Sequence, residues 1–149
     1  MRETTIKSYI AEAARSKIQV TNIENAILSG FPDTALLYDD EAALLEIKVS
    51  RKIGKGNPTI RLRSSQIMFF RKAMAAKFGA VYLLVHYNDM LNLHNSVPKL
   101  ENITSAGKGF FVIELSQPPL ISVPCSTYGA TILLCELFPS FKEVANDSV

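Results

Sequence analysis

The chain has 149 residues, 48% hydrophobic and 20% charged, which is enough apolar material for one domain with its own core and no structural staples. Sixteen Lys and Arg against fourteen Asp and Glu leave a net charge of only +2, which excludes a uniformly basic or acidic protein. There is no run of about 20 apolar residues and no signal-peptide pattern, so a membrane span is not expected and the chain is expected to be soluble and cytoplasmic.

Residues 1–18 carry Ile6, Ile10, Ala13, Ala14 and Ile18 at helical spacing, which predicts an amphipathic helix packed on a sheet. Thr34–Tyr38 is a short apolar and aromatic run, Asp39-Asp40-Glu41 is polar enough to turn, and Ala42–Val49 is a second apolar run broken only by Glu46 and Lys48. Two such runs around an acidic turn predict an antiparallel hairpin. Strand alternation then puts Leu44, Glu46 and Lys48 on one face and Leu45, Ile47 and Val49 on the other. Asp33 opens the facing strand behind Pro32, a residue tolerated at a strand start.

Ser50–Pro58 holds two glycines and a proline and reads as a mobile loop. Ser64 is a good N-cap for a helix to about Phe78, with Ile67, Phe70, Met74 and Phe78 as its apolar stripe and Gln66 in its first turn. Arg71 and Lys72 fall on more polar surface. Ala80–Tyr87 is apolar enough for a central strand. Gly109–Leu115 predicts a further strand, and the three prolines of Ser116–Pro124 an extended connection. Thr127–Phe138 fits a buried strand, a helix or an interface, and residues 145–149 are expected to fray. Cys125 and Cys135 lack a CxxC or metal-ligand spacing and read as buried free thiols. His86 in the apolar strand and His94 in a polar loop belong to no metal pattern, so both are expected to be structural.

The chemistry concentrates at Asp33, Glu46 and Lys48. Two carboxylates and an ammonium buried near a sheet are costly unless they pair or bind a metal. Carboxylate oxygens suit Mg²⁺, which polarises a phosphoryl oxygen and lowers the pKa of a bound water. A lysine two residues beyond a ligand is placed to orient that water or to stabilise the phosphorane. The competing reading is a plain Glu46–Lys48 or Asp33–Lys48 ion pair on a solvated hairpin face. From Lys48 to Lys77 there are nine basic residues and no acidic one, an asymmetry the net charge hides. Such a cationic block suits a phosphate backbone. The competing reading there is a solvated basic loop.

Five pieces in order, Ile23-Glu24-Asn25, Gly30-Phe31-Pro32-Asp33, Glu46-Ile47-Lys48, Leu62-Arg63-Ser64-Ser65-Gln66 and Gly79-Ala80 entering a strand, resemble the PD-(D/E)XK nucleases. The branch they resemble is the small one found in bacteriophages and related to the VRR-type nucleases, and the match covers about residues 20–87. The resemblance implies an α/β restriction-endonuclease-like core with a mixed central β-sheet flanked by helices. It implies a Mg²⁺-dependent DNA endonuclease, with Mn²⁺ as a substitute. Asp33 and Glu46 would then be metal ligands, the Ile47 carbonyl a third, and Lys48 the catalytic lysine. Glu24 matches the acidic residue on the family's first helix that completes the metal site, with Glu12 as a competing candidate, and Gln66 matches the polar residue after the ExK strand.

Arg51, Lys52, Lys55, Arg61, Arg63 and Arg71 are expected to contact nucleic acid. The family's habit of working as symmetric oligomers implies a homodimer or higher oligomer, with the apolar segment 120–138 as contact or, alternatively, as part of the monomer's core. Little chain remains for a sequence-reading domain, which favours branched DNA, a junction or a flap. The alternatives are a site-specific homing or restriction-type enzyme, a non-catalytic DNA-binding module, and RNA as substrate.

Overall fold

A computed structural model describes residues 1–23, 30–50, 56–95 and 103–147. In chain order the elements are α1 Glu3–Ala14, β1 Gln19–Asn22, β2 Thr34–Tyr38, β3 Glu41–Val49, β4 Thr59–Arg63, α2 Ser64–Ala75, β5 Val81–Tyr87, β6 Met90–Asn95, β7 Ile103–Ser105, β8 Phe110–Glu114, β9 Ile121–Pro124, α3 Thr127–Leu137 and α4 Phe141–Asp147. The protein is of the α/β class, with a mixed central sheet flanked by helices. Among the described residues no helix is long and apolar enough to cross a membrane.

The central sheet runs β1-β2-β3-β5-β6-β9, antiparallel throughout except for the parallel pair β3–β5. A parallel pair requires a crossover, and residues 50–80 supply it with β4 and α2. The expected β2–β3 hairpin is present, turning on Asp39-Asp40 with Asp39 left-handed at φ 51°. Alternation gives each sheet face its own core. Leu36, Leu45, Ile47, Leu84 and Leu91 face α1, α3 and α4, which contribute Ile6, Ile10, Leu133, Leu134 and Phe141. Val81, Leu83 and Val85 face the other way, onto Ile67 and Phe70 of α2 and onto a small sheet of order β4-β8-β7. Each such side chain, fully buried, contributes about 1.5–3 kcal/mol of transfer free energy.

Several sequence expectations are corrected by the fold. The α2 helix ends at Ala75, and Arg63 rather than Ser64 is its N-cap. Lys77, left-handed at φ 57°, closes it as Phe78 N–H bonds back to the Ala73 carbonyl and Lys77 N–H to that of Met74. Phe78 therefore leaves the helical phase; it and Met74 are exposed, and Ala73 completes the buried face with Gln66, Ile67 and Phe70. His94 lies in buried β6, not in a polar loop. The polar residues there belong to a tight hairpin with Asn88 and Asp89 both at positive φ, and their groups are satisfied internally. His94 Nε2 lies 2.8 Å from the Tyr87 hydroxyl, and the Asn92 amide reaches the Val85 carbonyl at 3.2 Å. Burial lowers the His94 pKa.

The proline-rich connection ends in a strand, β9, paired with β6 at the sheet edge where proline is tolerated. Ala145 is buried and α4 continues to Asp147, so residues 145–147 are helical rather than frayed, and residues 148–149 lie outside the described residues. Thr127–Phe138 resolves as a helix capped by the Ser126 hydroxyl, which accepts the Gly129 N–H at 3.0 Å. Ala130, Leu133, Leu134 and Phe138 close the chain's own core. Cys125 and Cys135 are free, and only partly buried.

Candidate active site

The two motifs meet because of strand register. Thr34 pairs with Leu45, so continuing the ladder one step sets Asp33 opposite Glu46 on the face of Leu44. The Asp33 carboxylate accepts the Ile47 backbone N–H and, at 3.1 Å, the Thr34 hydroxyl. Gly30 lets the preceding segment lie against α2: its φ is +90°, and a Cβ there would meet the Ser65 carbonyl oxygen at 2.2 Å. Phe31 packs edge-on against Phe69 with centroids 5.1 Å apart, which fixes the approach to Asp33.

Glu46 is only 2% exposed. Gln66 Nε2 donates to its Oε1 at 3.0 Å, while Gln66 Oε1 accepts the Arg63 N–H at 2.9 Å. The backbone donor decides which way the amide points, so one side chain both caps α2 and orients the glutamate. Burial, and then the charge of Asp33, push the Glu46 carboxyl up to about 8, with Glu3 adding to the rise and Lys48 and Gln66 opposing it. Burial also raises the Asp33 pKa, against the pull of Lys7, Thr34, the Ile47 N–H and Lys48.

Asp33, Glu46, Lys48 and Gln66 line one cleft of about 170 Å³, together with Arg63 and Glu3. Ile47 turns its side chain into the opposite core, leaving its backbone beside Asp33. Arg61 lies on β4 outside this cleft, and Arg71 is exposed on α2 without lining it. Glu12 sits elsewhere: its carboxylate accepts the Thr127 hydroxyl at 2.7 Å, between α1 and α3. Glu24, Arg51, Lys52 and Lys55 lie outside the described residues. Ile23 just before them is not helical; its N–H bonds the Asp33 carbonyl at 2.7 Å, prolonging the β1–β2 pairing.

Sequence reasoning missed Glu3 and Lys7. Glu3 opens α1 and lines the cleft, and Lys7 Nζ lies 3.7 Å from Asp33 Oδ2. Their signal was a Glu and a Lys four apart, which share a helix face. That spacing shows that they are neighbours, not which strand they will meet. Lys7–Asp33 is the sole ion pair among the described residues, so neither Lys48 nor Arg63 is in direct contact with an acid there, although Lys48 acts on Asp33 and Glu46 through its charge.

The donor set is made of oxygens. Among the described residues no group of three or more His, Cys, Asp or Glu is gathered closely enough to hold a metal by itself. Mg²⁺ does not need one: it is held by one or two carboxylates, retains waters and takes substrate phosphate oxygens. Two facing carboxylates, both raised by burial and one of them further by the charge of the other, are a fit for such a cation.

No model of a known protein family matches the chain. No curated protein sequence matches it either. Among solved structures, it is similar to that of Hjc, a Holliday junction resolvase from the archaeal hyperthermophile Archaeoglobus fulgidus, at 13% identity and a TM-score of 0.46, over 80% of this chain and 95% of that one.

Proposed function

We propose that the protein is a divalent-metal-dependent nuclease of the PD-(D/E)XK type that hydrolyses DNA phosphodiester bonds, with branched DNA as its preferred substrate. The observation that carries this reading is the buried Glu46 facing Asp33 in a cleft whose other walls present Lys48 and Arg63. A solvated ion pair would leave both carboxylates in water. Here Glu46 is desolvated beside a like charge, which fits a site that a cation and an anionic substrate complete together.

Asp33, Glu46 and the Ile47 carbonyl would hold Mg²⁺, or Mn²⁺ in its place, with Glu3 as the helix-borne acid beside them. The ion, when bound, supplies charge neutralisation at the phosphate and a more acidic water. Lys48 donates to the attacking water or to a non-bridging oxygen and stabilises the charge that develops on phosphorus. Arg63 offers a forked pair of donors to the same phosphate. Gln66 holds Glu46 in its ligating orientation. Water adds to phosphorus as the bond to the leaving oxygen breaks; the water gives up a proton to solvent, and the departing oxygen takes one from solvent to leave as a hydroxyl.

Cleavage of linear, nicked, flapped and four-way-junction DNA in Mg²⁺ tests the reading. Wild-type protein is expected to cut the branched substrates, and Glu46→Ala and Lys48→Ala to lose about 100-fold or more of the rate, the scale of a lost electrostatic stabiliser. A wild type that cuts nothing, or variants that cut as well as it does, would sink the proposal.

A further inference from the structure

The small sheet has an outer face of which the catalytic reading uses only Arg63. Ile60, Leu62 and Ile113 point inward to the core, so alternation turns Arg61 and Arg63 of β4, and Phe110 and Val112 of β8, outward. Phe110 is 40% exposed, so its ring is open to a partner from solvent. The Arg61 guanidinium carbon lies 5.8 Å from the ring centroid, within cation–π range. Phe110 pairs directly with Arg63, which lines the catalytic cleft, so the ring stands one cross-strand step, about 5 Å between Cβ atoms, from the site's wall.

The ring is also held in place. Gly107 and Gly109, at φ +80° and +79°, make the β7–β8 turn, in which Phe110 N–H bonds the Gly107 carbonyl at 3.0 Å and Ala106 N–H bonds that of Phe110 at 2.8 Å. Ser64 N–H donates to the Gly109 carbonyl at 2.9 Å, tying this turn to the start of the helix that carries Gln66. Lys108 at the tip adds a third cation to Arg61 and Arg63, and none of the three forms an ion pair among the described residues. The acid of this face, Glu114, lies at the far end, opposite Thr59, and accepts the Asn57 amide at 2.8 Å.

We infer that this face is a platform for an unpaired nucleotide, with a base stacked on Phe110 while Arg61, Arg63 and Lys108 take the phosphates on either side of it. Aromatic rings interleaved with cations bind single strands, because every base offers a π-face and every link a charge. A base inside an intact duplex cannot present that face. The inference rests on the nuclease reading only for what it adds there: the strand entering the cleft is unpaired next to the phosphate that is cut.

The test measures affinity without divalent metal, by anisotropy, for a duplex bearing a single-stranded flap and for the same duplex blunt. Phe110→Ala is expected to weaken flap binding by about five- to hundredfold, the effect of one lost base–aromatic stack, and to leave blunt duplex within about twofold. Phe110→Leu, which keeps the apolar bulk and guards against misfolding, is expected to lose the same preference, and Phe110→Trp to keep it. A 2-aminopurine in the flap beside the branch should be quenched by wild type and by Phe110→Trp, not by Phe110→Ala.

Unchanged flap affinity in Phe110→Ala and Phe110→Leu, or equal losses on both DNAs, overturns the platform. If that happens while wild type cuts flaps in Mg²⁺, the nuclease reading stands alone. If the flap-specific loss appears while wild type cuts nothing, the platform stands and the nuclease reading falls.

Discussion

Glu46 is where residue-scale physics is most exposed to measurement. Its ordinary carboxyl pKa of 4.5 rises to about 8 in the folded protein, so the fold holds a proton that the unfolded chain releases. The associated stability is fully present below the unfolded value, declines as pH rises through the window from 4.5 to about 8, and is gone above it. A shift of this size corresponds to at most about 5 kcal/mol, at about 1.4 kcal/mol per pH unit. In EDTA, thermal midpoints are therefore expected to fall between pH 5 and pH 8.5 and to be nearly flat for Glu46→Gln. Equal slopes for the two proteins would contradict the assignment. Added Mg²⁺ is expected to restore the wild-type midpoint at the alkaline end, and to do little for Glu46→Gln.

At the scale of elements, the site depends on how closely residues 30–33 approach the start of α2. Gly30 combines a left-handed φ with a backbone neighbour that cannot swing away, since the Ser65 carbonyl belongs to the helix itself. Gly30→Ala is expected to cost about 1–3 kcal/mol in denaturant unfolding, by strain at that φ and by displacement of the segment. Cleavage should fall more steeply than stability, because the same displacement carries Asp33 away from Glu46. Full activity with unchanged stability would show that this contact does not set the site. The β2–β3 hairpin, the α1 helix and the β5 strand were legible from periodicity, because each buries one face and the pattern records it. The β6 strand and His94 were not, because their polar side chains are satisfied by cross-strand partners that no local pattern names.

Over the whole molecule, the central sheet separates two kinds of work. One face is closed by α1, α3 and α4 into an apolar core; the other carries the candidate cleft, α2 and the small sheet. The segment 120–138 proved to serve the chain's own core, yet it leaves Leu120 and Tyr128 61% and 71% exposed, next to the edge strand β9. Large exposed apolar side chains and an open strand edge are features of a contact surface. Sedimentation is expected to show a homodimer that Leu120→Glu with Tyr128→Glu converts to monomer, with each monomer still able to nick. A wild-type monomer at all concentrations would remove this expectation.

The order of apolar and charged residues by itself determined the hairpin and the juxtaposition of Asp33 with Glu46 and Lys48, and the resemblance carried by the motifs implied the α/β class. Strand alternation and short-range register act between residues close in the chain, so a local reading reaches them. Only the tertiary structure decided that Glu3 and Lys7 come to the same cleft from the first helix, that Glu12 turns away to Thr127, and that Phe110 stands beside Arg63. Those meetings join residues roughly 30 to 115 positions apart, and their partners are selected by how whole faces pack, which no spacing along the chain encodes.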